Sequence, residues 1–166
     1  STIDLDASAA SDMHTSAGFT DIFLTAYSTE GDFIWGHAFG SNSSEFSHDL
    51  AVGPEGQVYI TGNFWNTVNF NTTGGATEVT SNAQSDIFLA AFATTGDNLW
   101  AISAGGTDAE EGLAVGAGNT GPIITGTFGS TVDFDPGPDA LELSSAGFYE
   151  VYMARYTSDG AFIEAG

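Results

Sequence analysis

The residues whose types and spacing could do chemistry begin with Asp133, Asp135 and Asp139, in the stretch Asp-Phe-Asp-Pro-Gly-Pro-Asp. Hard oxygen donors at alternating positions, a glycine turn and a further carboxylate could wrap a calcium ion. The matching positions upstream are Asp4 and Asp6, then Asn69 and Asn71, where a carbonyl oxygen remains but the charge has gone. The pattern is not an EF-hand, which needs a glutamate closing its loop. The other reading is an Asx-turn, in which each side chain bonds a following backbone amide and no metal is required. The sequence leaves both open, and it does not separate calcium from magnesium.

A second acidic group, Asp108, Glu110 and Glu111, follows Gly105 and Gly106. Two carboxylates act as general acid and base only when a fold sets them across a substrate. Neighbouring loop residues are expected instead to form a solvated acidic rim. His14, His37 and His48 do not recur and lack the spacing of a zinc motif. No Gly-x-Ser-x-Gly elbow presents a serine nucleophile, and no glycine-rich phosphate loop opens a helix. Among the aromatics, Trp35 and Trp100 repeat and are expected to sit between sheets, as a stacked core requires. Trp65 does not repeat, since Gly129 takes its place, so Trp65, with Tyr59, is the aromatic contact open to a ligand such as a sugar. Asn42 and Asn71 each begin a glycosylation sequon.

These residues sit on a repeating frame. Thr2 opens TIDLD, Thr67 opens TVNFN and Thr131 opens TVDFD, roughly 65 residues apart, and the text after each start recurs in degraded form. We read one domain over 1–166, with units at about 2–66 and 67–130 and a partial third at 131–166. DIFLTAY, DIFLAAF and VYMARY are strand sequences, β-branched and aromatic, each followed by a glycine turn and a return strand. HDLAVGPEGQVYITGNF and EGLAVGAGNTGPIITGTF read as a second hairpin, with short strands at 49–52 and 113–115 that align on the shared LAV. Residues 7–20 read as a loop or irregular return strand, and 40–47 as a polar loop. Gly62 and Gly126 mark a bulge or a close approach of backbones. Pro122 should open a strand or lie on an edge. No 3.6-residue period persists, so the expectation is all-β: tandem antiparallel four-stranded repeats, propeller-blade-like or an open β array. In that phase the chain holds half a unit followed by two whole ones.

Composition narrows the function. The formal charge of -21 comes from 22 acidic residues against one basic residue, Arg155. One arginine cannot neutralise a phosphate backbone, which excludes nucleic acid, and the charge opposes anionic membrane surfaces. No long apolar run suggests membrane insertion. Cysteine is absent, so there are no disulfides, thiolate nucleophiles or cysteine metal sites. A chain rich in Ser, Thr, Gly and Ala points to an extracellular or cell-surface protein.

The unit also resembles a known family. Trp100, Gly105–Gly106, Leu113–Val115, Ile124–Gly126, Asp133–Gly137 and Asp86–Ala90 follow, in order, the motifs of the bacterial and archaeal β-propeller repeats called SBBP repeats. The resemblance covers nearly all of the chain. It implies a propeller fold and an extracellular or surface setting, and it implies no activity.

Together these readings give a non-catalytic extracellular structural or adhesive module. It would assemble head-to-tail through its β repeats, because the C-terminal hairpin should offer the same face that 86–103 offers its successor. A filament suits the half unit better than a ring, and calcium or salt would relieve the charge. The alternatives are a calcium-dependent carbohydrate- or ligand-binding module and a secreted hydrolase. The partners expected are further copies of the chain or a longer parent assembly, and glycans.

Overall fold

The computed structural model describes residues 1–166 and contains sixteen β-strands and no helix. A ribbon of β1 (Thr2–Asp4) and β2 (Met13–Thr15) leads into the hairpin of β3 (Ile22–Tyr27) and β4 (Phe33–Phe39). Next come β5 (Glu45–Val52) and β6 (Val58–Phe64), the ribbon of β7 (Thr67–Asn69) and β8 (Glu78–Thr80), and the hairpin of β9 (Asp86–Phe92) and β10 (Asn98–Ala104). The pattern returns with β11 (Glu111–Gly118), β12 (Gly121–Phe128), the ribbon of β13 (Thr131–Asp133) and β14 (Glu142–Ser144), then β15 (Glu150–Tyr156) and β16 (Phe162–Ala165). Two four-stranded antiparallel sheets result, ordered β10-β9-β6-β5 and β11-β12-β15-β16, beside the two-stranded β3-β4. The all-β repeat architecture, half a sheet and then two whole ones, is therefore as the sequence indicates.

The strands differ from expectation at their ends. β5 begins at Glu45 rather than Asp49, and Met13–Thr15 is a true return strand. β11 runs on to Gly118 and β12 starts at Gly121, so Pro122 is the second residue of its strand, beside a two-residue turn. The LAV triplets are not equivalent. Leu50 pairs with Ile60 and Val115 with Ile124, while Ile60 and Ile124 both pair with the matching alanines, Ala90 and Ala154. Leu50 thus corresponds to Val115, two residues along from the letter match.

Gly62 and Gly126 face bulges in the neighbouring strand, at Ser47/Asp49 and Gly112/Ala114. A Cβ on either would overlap a backbone carbonyl oxygen, that of Phe46 or Glu111. An extra residue in the partner strand pushes its backbone onto the glycine, which is why only glycine fits there.

The cores lie between sheets. Ile22, Leu24, Phe39, Ile60, Phe64, Phe70, Phe88 and Phe92 fill the first gap. Tyr59, Ile87, Leu89, Val115, Ile124, Phe134, Tyr152 and Tyr156 fill the second. Alternation sends Ile87, Leu89 and Ala91 of β9 into one core and Phe88, Ala90 and Phe92 into the other, so every residue of this strand is buried.

Candidate functional site

The Asx positions are built into ribbon caps. Asp133 Oδ1 accepts the amides of Asp135 (3.0 Å) and Leu141 (2.9 Å), and Asp135 Oδ1 accepts that of Gly137 (2.8 Å). Asp4 Oδ1 accepts Asp6 N (3.1 Å) and Asp12 N (2.9 Å), and Asp6 Oδ1 accepts Ser8 N (2.8 Å). Those amides, Asp12 first, hold the Asp4 carboxyl below the usual aspartate value. Asn69 Oδ1 does the same for Asn71 N (3.0 Å) and Thr77 N (2.9 Å), and Asn71 Oδ1 for Thr73 N and Gly75 N. Asparagine closes the same turn as aspartate because the bond needs only an oxygen acceptor. Asp139 is exposed beyond the cap. No group of three or more His, Asp or Glu side chains converges in the structure.

The acidic rim expected around Glu110 is corrected: Glu110 is 0% exposed and its counterpart Glu45 is 1% exposed, whereas Asp108 and Glu111 face solvent. Each buried glutamate folds back to accept the amide four residues earlier, Ser41 N at 3.0 Å and Gly106 N at 2.9 Å. Beside each sits an aspartate capping its own loop in the same way: Asp21 accepts Ala17 N (2.8 Å), and Asp86 accepts Asn82 N (3.1 Å). Glu150 repeats the device with Ala146 N. The signal was present in the sequence as carboxylates recurring at 21, 86 and 150 and at 45 and 110, but identical loops are equally compatible with solvation.

The two carboxylate pairs are not equally satisfied. At the first, Ser16 Oγ donates to Asp21 (3.0 Å) and Ser41 Oγ to Glu45 (2.5 Å). At the second, Gly106 replaces Ser41, and Asp86 Oδ1 and Glu110 Oε1 are buried with no hydrogen-bond partner. Burial pushes Asp86 up to about 6 and Glu110 up to about 7, the latter raised further by the Asp86 charge. Glu45 is also raised by burial, against the pull of the Ser41 hydroxyl and amide.

Adjacent sheets are joined by a repeated contact. Trp35 Nε1 donates to Thr94 O (3.0 Å) in the β9–β10 turn, and Trp100 Nε1 donates to Ser158 O (2.9 Å) in the β15–β16 turn. Each indole lies over a left-handed glycine, Gly96 (φ 88°) or Gly160 (φ 86°), and a Cβ on those glycines would come within 2.7 and 2.9 Å of the ring. The tryptophans therefore lie between sheets as expected. Tyr59 belongs to the same joint. It is 1% exposed with its ring 6.1 Å from that of Trp100, and it offers no face for a sugar to stack on. Trp65 is half-buried, edge-on to Phe46 at 6.2 Å. The histidines are dispersed: His14 bonds Asp12, His48 bonds Asn63, and His37 stacks on Trp35.

The third unit departs from this joint. Arg155 pairs across the sheet with Glu164, where Ala26 pairs with Trp35 and Ala91 with Trp100. A 2.8 Å ion pair thus stands where the indole stood. The outer face of this sheet still exposes Val151 (74%) and Met153 (42%), the counterparts of buried Ile87 and Leu89.

No family model matches the chain. Over 143 residues, 86% of its length, it is 24% identical to Regulatory protein FlaEY of Caulobacter vibrioides. The chain spans about 15% of that protein's length.

Proposed function

We propose that this chain is a non-catalytic structural module of a larger propeller-like repeat assembly, joined to its neighbours through the outer faces of its terminal sheets. The observation that carries the reading is the repeated inter-sheet joint. One sheet's Trp and apolar strand face meet the next sheet's tight turn, and the outermost faces carry the same strand positions uncovered. Phe23 and Tyr27 lie open at one end, Val151 and Met153 at the other. Apolar residues at positions that the repeat buries elsewhere mark a surface for another repeat. The likeness to a short portion of a much longer regulatory protein supports a module within something larger. Composition supports a place outside the cell or on its surface. Calcium enters as counter-charge, since -21 per copy opposes stacking.

Light scattering across protein, calcium and sodium concentrations tests this. The expected result is mass that grows with concentration and with divalent ion, and that falls back to monomer in Val151→Glu. A monomer under every condition, unchanged by that substitution, overturns it.

A further inference from the structure

The first sheet has two strands where its successors have four, and the repeat itself states what would complete it. We infer that the free edge of β3 is the docking site of a β-hairpin of the β5–β6 kind that runs directly into Ser1. This deepens the assembly reading above, on which it rests, by naming the element that covers one end.

In the second and third sheets the third strand is paired on both sides, β9 by β10 and β6, and β15 by β16 and β12. β3 pairs only with β4. Its residues match those of β9 one for one, and Phe23, the counterpart of fully buried Phe88, is 55% exposed. Where β6 would lie there is instead a cleft of about 300 Å³ between β3 and β5, lined by Phe23, Leu24, Ser47, His48 and Leu50 among others. A free strand edge flanked by apolar side chains is a template for a further strand.

The direction of entry is also set. Ser1 O accepts the amide of Ser16 (2.8 Å), as Asn66 O accepts that of Ser81 and Ser130 O that of Ser145, both at 2.8 Å. Asn66 and Ser130 are the residues that turn the chain out of β6 and β12 into the next ribbon, both at positive φ. Ser1 therefore stands at the exit of such a hairpin, and this favours a covalently joined strand pair over a second copy, whose own β5–β6 and β11–β12 hairpins are already used.

The register specifies the occupant's residues. Gly62 lies opposite Phe88 and Gly126 opposite Tyr152, each glycine under the ring, which would come within 2.8 and 3.0 Å of a Cβ. A glycine must lie opposite Phe23 for the same reason. The residue before it is threonine in both complete sheets, where its hydroxyl bonds the Phe88 or Tyr152 carbonyl. The first sheet cannot take that threonine. A Cβ at Gly112 would overlap Thr61 Oγ1, and Ser47, which does carry a Cβ, occupies the Gly112 position. The occupant therefore carries alanine or glycine there.

The test is a chain in which a copy of residues 41–65, with the copied Thr61→Ala, is joined ahead of Ser1. Hydrogen exchange of the β3 amides facing away from β4 should slow by about 100-fold in the monomer, and the melting temperature should rise. The version retaining the copied threonine should gain less, and Ser47→Gly should restore its gain. Phe23→Asp should cancel the protection in the joined chain while leaving the original chain folded, since Phe23 is exposed there. Unchanged β3 exchange, with the added hairpin itself unprotected, overturns the inference. So does protection in the original chain that grows with concentration alongside a dimer, which would make a second copy the occupant. Because exchange is read in the monomer, loss of self-association with protection intact would sink only the assembly reading.

Discussion

β3 and β9 carry almost the same residues, IFLTAY and IFLAAF, and live in opposite environments. In β9 both faces are buried, Ile87, Leu89 and Ala91 against one core and Phe88, Ala90 and Phe92 against the other. In β3 Ile22 and Leu24 are buried but Phe23 is not. The same contrast runs through the loops: Asp21 and Glu45 receive serine hydroxyls that Asp86 and Glu110 lack. A repeat therefore copies strands and caps faithfully but not the free energy they contribute, because that depends on which neighbour covers each face.

The largest effect should separate the two strands directly. Phe88→Ala removes a fully buried ring and should cost about 3–5 kcal/mol, while Phe23→Ala should stay within about 1 kcal/mol. Urea unfolding of the two variants measures this, and equal losses would break the comparison.

The carboxylate pairs should differ in pH dependence. Because the native carboxyls of Asp86 and Glu110 are held above their unfolded values, the native state keeps protons that the unfolded chain has released. The contribution of these two carboxyls is therefore fully present below about pH 4 and is lost as pH rises through about 6 and 7. The shifts correspond to roughly 3 kcal/mol per carboxyl. Glu110→Gln should flatten unfolding free energy between pH 5 and 8, and Glu45→Gln, at the pair with serine partners, should flatten it less. A curve that both substitutions leave unchanged would show that the orphaned oxygens are not responsible.

A smaller difference tests the Trp joint. Gly31→Ala and Gly96→Ala both force alanine into a left-handed conformation, about 1–2 kcal/mol. Only Gly96 lies beneath an indole, so its variant should lose about 1 kcal/mol more and release Trp35, with a shift in its fluorescence. The smallest effect belongs to the exposed Arg155–Glu164 pair, whose removal by Glu164→Gln should cost less than about 1 kcal/mol and vanish at high salt.

Much of the fold was legible in the sequence. DIFLAAF read as a strand, TSDG and TTGD read as turns, and the recurrence of Thr2, Thr67 and Thr131 fixed three units. The candidate site was less so. Asp4, Asn69 and Asp133 were recognisable as Asx positions, and only the fold showed that Oδ1 of each accepts two backbone amides. Glu110 and Glu111 read alike as neighbouring acids, yet one is fully buried beside Asp86 and the other is in water. Tyr59 looked available to a ligand for want of knowing that a second sheet covers it.

What the sequence determined by itself is local. Alternation gives the strands, glycine and Asx residues give the turns, and letter recurrence gives the number of units, because each depends on a few adjacent residues. Tertiary structure alone decided the register of LAV, displaced by two residues because one hairpin closes on a five-residue loop and the other on a tight turn. It also decided which carboxylates lost water and which apolar faces stayed open, since burial is set by the sheet that lies opposite and not by the strand's own residues.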